Sequence, residues 1–164
     1  MSTAPPSQSR IDPLDARLLA LLDAEPRIGV LEASRRLGVA RGTVQARLDR
    51  LQQRGVVHLG PQVDPAALGY RVTAFVSLEI SQGRGHDAVA AHLETIPEVL
   101  EAHTITGTGD LLLRLVARSN ADLQRVIDRV VDVEGIVRTS TVIALSTQIR
   151  HRVLPLVQAA AGEA

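Results

Sequence analysis

The 164-residue chain has no cysteine, no lysine and no tryptophan, and its only aromatic side chains besides histidine are Tyr70 and Phe75. Without cysteine there are no disulfides, no thiolate metal sites and no thiol nucleophile, which suits a reducing compartment. So few rings leave little to stack on unpaired bases, which disfavours an RRM-type or other single-strand binder. No apolar run approaches the roughly 20 residues that span a bilayer, and the opening "MSTAPPSQSR" lacks a signal peptide's apolar segment. These absences lead to the expectation of a cytoplasmic protein with no membrane partner and a disordered start at residues 1–10.

Net charge is absent too, since 18 arginines balance 18 acidic residues. The balance is uneven along the chain. Residues 1–60 hold nine Arg against six Asp or Glu, a net +3, and residues 61–164 hold nine against twelve, a net −3. Residues 27–54 alone hold seven Arg against Glu32 and Asp49, a net +5. A basic amino-terminal part before an acidic remainder points to an anion-binding domain joined to one with another task. The 45% apolar content is ample for a core in each.

"IDPLDARLLALLDAEPR" opens as a helix does: Asp12 can cap, Pro13 suits the first helical position, and Asp15 complements the helix dipole. Leu14, Leu18, Leu21 and Leu22 form one apolar stripe. A second helix is expected from about Val30 to Leu37, ended by Gly38, and a third from about Arg41 to Arg54, ended by Gly55. Two helices joined by so short a glycine-bearing turn form a helix-turn-helix, whose second helix can enter the major groove of DNA. On the third helix, Val44, Leu48 and Leu51 fall within about 60° of each other at roughly 100° per residue, which marks the buried edge. Thr43, Arg47, Arg50 and Arg54 make a neighbouring stripe. Double-stranded DNA is the expected partner, with Arg41, Thr43, Gln45 and Ala46 near base edges and Arg35, Arg36, Arg47 and Arg50 on phosphates. "VVHLGPQVDPAALGY" then reads as a small wing or linker.

In "YRVTAFVSLEI", Val72, Ala74, Val76, Leu78 and Ile80 alternate with Thr73, Phe75, Ser77 and Glu79, as in a strand with one more apolar face. Val89, Leu93 and Ile96 mark a helix stopped by Pro97. "VLEAHTIT" and "LLLRLVA" are strands around a glycine-containing connection, Ser119 caps a helix carrying Leu123, Val126, Ile127 and Val130, and "IVRTSTVIALST" is a last strand. The order β-α-β-β-α-β is the ferredoxin-like plan. Its sheet has one face free of helices, and apolar residues there, Phe75 among them, call for a partner sheet, hence a homodimer.

The expected fold class is therefore α+β. A winged helix-turn-helix domain at 11–60 and a linker at 61–70 precede a ferredoxin-like ligand-binding and dimerisation domain at 71–150. The tail at 151–164 is either a short helix or disorder.

"LDARLLALLDAEPRI", "LEASRRLGVARGTVQARLDRLQQRGVV", "DPAALGY", "PEVLEAHTITGTGDLLLRLVA" and "GIVRTSTVIAL" follow one another in an order and spacing that resembles the Lrp/AsnC, or feast/famine, transcriptional regulators. The resemblance implies DNA-binding dimers, often assembled into tetramers or octamers, that respond to small effectors, usually amino acids. It places effector contacts at Thr106, Gly107, Thr108 and Asp110 in "TGTGD" and at Thr139 and Thr141 in "RTST". By itself "GTGD" is more often a hairpin turn, and no helix follows it as a phosphate loop would require. Three positions depart from the family pattern: Ala40 stands where a serine commonly caps the recognition helix, Leu111 where an aromatic is common, and Gly109 loosens the loop.

No cofactor, metal site or catalytic group is expected, since the five histidines are dispersed. Two alternatives remain. One is an enzyme like the sirohaem decarboxylases, which share this two-domain plan and for which His103 is the best candidate. The other is an architectural DNA-binding protein without an effector.

Overall fold

The computed structural model describes residues 11–58, 60–81 and 85–162, so the expected disordered segment 1–10 lies outside the described residues. The chain divides into two compact units, one formed by residues up to Pro61 together with those from Ile149 onward, the other by Gln62–Gln148.

In the first unit, helix α1 (Pro13–Ala24) opens with a reciprocal cap. The Asp12 carboxylate accepts from the Leu14 and Asp15 amides at 2.9 Å each, and Asp15 accepts from the Asp12 amide at 3.3 Å. Helix α2 (Val30–Leu37) ends at Gly38, whose φ of +71° is the left-handed conformation that glycine tolerates best. Helix α3 (Arg41–Gln53) begins at Ala40, whose methyl group offers no acceptor to the first-turn amides. Leu18, Ala33, Leu37 and Val44 form the buried centre, with Leu14, Leu21, Leu22 and Leu48 around it.

A second apolar cluster of Ile11, Ala16 and Leu51 resolves the choice left open for the tail, which is helical: α6 (Leu154–Gly162). Its Val157 and Ala161, one turn apart, pack on that cluster. The stretch read as a small wing or linker forms no strand among its described residues between Gly55 and Val72. That stretch carries a single 3-10 turn, Pro65–Leu68, capped by Asp64 through the Ala66 amide at 2.9 Å. Pro61 and Pro65 have no amide to donate to a ladder, which disfavours a paired hairpin there.

The second unit is the expected β-α-β-β-α-β chain: β1 (Val72–Ile80), α4 (Gly85–Glu94), β2 (Val99–Thr104), β3 (Leu111–Ala117), α5 (Asn120–Val131) and β4 (Ile136–Ala144). The antiparallel sheet has the order β2-β3-β1-β4. Ala74, Val76, Leu78 and Ile80 of β1 and Leu111, Leu113, Leu115 and Ala117 of β3 face one way, against Val89 and Leu93 of α4 and Leu123, Val126 and Val130 of α5. Each of the large side chains fully buried there contributes roughly 1.5–3 kcal/mol. Ser119 caps α5 by accepting from the Asp122 amide at 3.1 Å.

The opposite face is less apolar than expected. Phe75, 39% exposed, lies between Arg114 of β3 and Val142 of β4, and polar Ser77 and Glu79 continue its row. Arg114 donates to Glu101 at 2.8 Å across β2 and β3. The apolar surface beside Phe75 continues on β4 at Val142, which is 64% exposed.

Candidate functional site

Helices α1 and α3 are joined by charge as well as by apolar packing. Asp15 is wholly buried. Arg47 donates to its Oδ1 at 2.7 Å and also to the Asp12 carboxylate, while Arg50 donates to both Asp15 oxygens at 2.8 and 2.6 Å. A buried carboxylate is tolerated here because charged donors satisfy both oxygens. The hydrogen bond from Arg47, opposed by burial and assisted by the helix amides, holds the Asp12 carboxyl below its ordinary value, and Arg47 is raised in turn by Asp12 and Asp15.

Arg47 and Arg50, two of the arginines expected on phosphates, are thus engaged within the protein. The stripe containing Arg47 and Arg50 adjoins the buried edge, and the neighbour on that flank is the acidic first turn of α1. Arg36 is paired too, with Glu25 at 2.6 Å and Glu32 at 3.3 Å, and Arg35 lies 3.6 Å from Glu32. Those pairs are exposed and weakly held. Arg41 and Arg54, near opposite ends of α3, have no hydrogen-bonding or ionic side-chain partner among the described residues. Arg41, Thr43, Gln45 and Ala46 are all exposed along the first half of the helix, with the Gln45 amide steadied by Asp49 at 2.8 Å.

In the second unit, the "TGTGD" segment forms a tight connection between β2 and β3. Gly107 and Gly109 have φ of +109° and +101°. A Cβ on Gly109 would stand 2.3 Å from Ser77 Oγ and 3.1 Å from the Leu78 carbonyl oxygen. Gly109 therefore permits close seating of the loop on β1 and does not loosen it. Asp110 fixes the same junction: its amide donates to the Leu78 carbonyl at 2.7 Å and its Oδ2 accepts from the Ile80 amide at 2.6 Å. One carboxylate oxygen expected for an effector is thus already committed to the backbone.

Beside this loop lies a cleft of about 260 Å3 lined by Ser77, Glu79, Thr108, Arg138, Thr139 and Ser140. Ser77 donates to the Thr108 carbonyl at 3.0 Å, and Arg138 approaches Glu79 to 3.9 Å. Strand register divides the expected residues. Thr139 and Thr141 pair with Leu78 and Val76, whose side chains face the helices, whereas Ser140 and Arg138 pair with Ser77 and Glu79 on the other face. Thr106, Gly107 and Thr108 are exposed on the loop, and Thr108 alone of the three lines the cleft. Ser77, Glu79, Arg138 and Ser140 were not expected here. Their signal is the two-residue alternation of "YRVTAFVSLEI" and "IVRTSTVIA", which puts them on one face once the two strands pair.

His103, the candidate of the enzyme alternative, has a 63% exposed side chain on β2, 3.5 Å from Glu101. Among the described residues no group of three or more His, Asp or Glu is placed to hold a metal ion.

Residues 11–58 match the model of winged helix-turn-helix DNA-binding domains, and residues 73–154 match that of the Lrp/AsnC ligand binding domain. The chain belongs to the Lrp/AsnC family. Regulatory protein AsnC of Escherichia coli K12 is 30% identical over 148 residues, covering 88% of this chain and 97% of the relative. The HTH-type transcriptional regulator FL11 of Pyrococcus furiosus is 29% identical over 147 residues, covering 89% and 97%.

Solved structures agree. E. coli AsnC superposes with a TM-score of 0.81 at 29% identity over 88% of this chain and 99% of that one. The feast or famine regulatory protein of Mycobacterium tuberculosis, complexed with L-methionine, gives 0.75 at 29% identity over 87% and 97%. The present Lrp/AsnC chain is a transcriptional regulator with a helix-turn-helix DNA-binding domain and a ligand-binding domain. No helix among its described residues is long and apolar enough to cross a membrane.

Proposed function

We propose that this regulator reads duplex DNA with the first half of α3, through Arg41, Thr43, Gln45 and Ala46, and acts as a two-fold homodimer without catalysing a reaction. The observation that carries this reading is the exposure of those four side chains on a helix whose other flanks are fixed by Val44, Leu51 and the Asp15 carboxylate. The uncapped amides at Ala40 suit a DNA phosphate, because a helix amino terminus attracts anions and no side chain competes for it here. Exposed Phe75 and Val142 on the sheet supply surface for a second copy, which would present two recognition helices to one site. Binding to a chromosome is consistent with a cytoplasmic protein.

The cleft between Ser77, Thr108, Arg138 and Ser140 is the proposed seat of a small effector. The M. tuberculosis relative complexed with L-methionine makes an amino acid the first chemistry to test. Arg138 offers donors to a carboxylate, and Glu79 offers an acceptor to an ammonium.

The test is selection of duplexes from a random library followed by anisotropy titrations. Two-fold symmetric half-sites are expected, with Gln45→Ala changing the preferred bases and Arg138→Ala removing any response of binding to amino acids. Enrichment of sequences without symmetry, or a Gln45→Ala variant with unchanged preference, would sink the reading.

A further inference from the structure

A second concavity in the Gln62–Gln148 unit takes no part in the cleft just described. It is a groove of about 520 Å3 between Tyr70, the start of β2 and one side of α5, and its polar lining comes from Glu98, Arg118, Asp122, Arg125, Asp128 and Arg129. That volume lies within the ~300–1,000 Å3 usual for small-molecule sites. None of these residues lines the Ser77 cleft.

Most of the charges in the groove neutralise one another. Arg129 donates to Glu98 Oε1 at 2.8 Å, and Arg125 donates to Asp122 Oδ1 at 2.8 Å. The other Asp122 oxygen accepts from the Arg118 amide at 2.8 Å. Asp128 accepts from the Gln124 side-chain amide at 2.9 Å and has no ionic partner among the described residues. Two further groups, of opposite sign, remain. Glu98 Oε2 is buried without a hydrogen-bond partner among the described residues, on a side chain only 14% exposed. The Arg118 guanidinium lies 5.0 Å from the centroid of the Tyr70 ring and has no carboxylate partner among the described residues. Buried acceptors are rarely left unmatched, so the first group asks for a cationic or neutral N–H donor. The second offers a planar pair of donors to a carboxylate, with the ring fixing its plane.

We infer that this groove is a second small-ligand site, taking a zwitterion of the α-amino acid type with its ammonium on Glu98 Oε2 and its carboxylate on Arg118. One unmatched buried acceptor and one free cation in the same groove suit a dipolar ligand better than a simple anion or cation, and Asp128, held only by the neutral Gln124 amide, adds to the acceptors available to the ammonium end. An anion would meet the unpaired Glu98 oxygen, and a diamine would leave Arg118 unused and compete with Arg125 and Arg129 for their carboxylates.

The chain carries its own local reporter, because Tyr70 is the single tyrosine and there is no tryptophan. Tyrosine emission of the full-length protein would be titrated with each of the twenty L-amino acids, with succinate as the anion alone and putrescine as the diamine alone. The expected result is a saturable change in Tyr70 emission with at least one amino acid and none with succinate or putrescine. Its midpoint should rise about tenfold or more in Glu98→Gln and in Arg118→Met, since each removes a charge-assisted hydrogen bond. Arg138→Ala, in the loop cleft, should leave the midpoint unchanged, so failure of one site is read separately from failure of the other. Circular dichroism of the two groove variants checks that they fold, and Glu98→Asp, which keeps the charge but shortens the reach, should weaken binding less than Glu98→Gln. A flat titration with all twenty amino acids overturns the inference, as does equal binding of succinate or putrescine, or a midpoint that moves with Arg138→Ala but not with Glu98→Gln.

Discussion

Arg50 donates to both oxygens of Asp15, at 2.8 and 2.6 Å, and that carboxylate is wholly buried between the first and third helices. The two residues lie 35 positions apart, so the pair fixes the recognition helix to the start of the domain. Removing the carboxylate strips both Arg47 and Arg50 of their shared partner. We expect Asp15→Ala to cost about 3 kcal/mol, towards the lower end for a broken buried pair because both arginines are partly solvated. Arg50→Ala should cost about 1 kcal/mol, since Arg47 still serves Asp15 at 2.7 Å. Urea unfolding of the two variants checks the order, and equal losses would show that the carboxylate is not the hub.

The same geometry separates arginines that hold the helix from those whose side chains are left without a protein partner among the described residues, as Arg41 is. A phosphate contact shows itself in the salt dependence of binding, and each one lost lowers the slope by about 1. Arg41→Ala should lower the slope in this way, because its guanidinium has no protein partner among the described residues. Arg50→Ala should weaken binding with the slope retained, through a poorly held helix. Anisotropy titrations at several salt concentrations distinguish the two, and a lowered slope for Arg50→Ala would mean that it exchanges Asp15 for phosphate on the DNA.

Local signals in the sequence account for most of the elements. Asp12, Pro13, Gly38 and Ser119 act at helix ends within a few residues of themselves, and the two-residue alternation of β1 survives intact in the sheet. What was not legible depends on long-range pairing. A helical wheel places Arg47 and Arg50 beside Val44 and Leu48 but cannot say that the neighbouring surface is the Asp12–Asp15 turn. Likewise, "RTST" does not reveal which of its residues face the cleft until β4 pairs with β1 and puts Arg138 and Ser140 opposite Glu79 and Ser77. Gly109 is a third case: its need for positive φ could be guessed, but the Ser77 hydroxyl it admits lies in another strand.

The Asp12 carboxyl is held below its ordinary 3.8 chiefly by Arg47. A depressed folded-state value means that its contribution to stability is present above pH 3.8, the ordinary value, and is lost as pH falls through the folded-state value. Asp12→Asn keeps an amide able to cap α1 while deleting the charge. Its melting temperature should lie below wild type at neutral pH, and the gap should begin to narrow only as pH falls below the ordinary 3.8 towards the lower folded-state value, where the wild-type carboxyl is protonated. Thermal melts from pH 7 to pH 3 test this; a gap that is constant throughout would assign the effect to capping alone.

Gly109→Ala should damage the loop between β2 and β3 in two separable ways. The added carbon meets Ser77 Oγ at 2.3 Å, and the backbone keeps a φ of +101° that alanine disfavours. The expected cost is about 2–3 kcal/mol from the combined clash and strain. Ser77→Ala in the same chain removes the hydroxyl clash but neither the strain nor the 3.1 Å approach to the Leu78 carbonyl, so it should restore about half. A double-mutant cycle measured by urea unfolding reads the coupling, and a coupling of zero would mean that the loop shifts away from β1 as a body.

The last helix makes the DNA-binding unit depend on residues about one hundred positions beyond it in the chain. Val157 and Ala161 cover Ile11, Ala16 and Leu51, and Leu51 also lies on the buried edge of the recognition helix. Ending the chain after Gln148 removes that cover and leaves three apolar side chains facing water. Burial of a valine and an alanine together is worth roughly 2–3 kcal/mol, so the truncated protein should melt several degrees lower in its first unit. The loss should reach α3 through Leu51, because that residue anchors the second half of the helix. DNA affinity should therefore fall even though no DNA-facing residue has changed. Val157→Asp in the full-length chain should reproduce both effects by placing a carboxylate against the same apolar cluster. If the truncated chain binds and melts as wild type does, α6 is dispensable packing and the first unit is complete at Pro61.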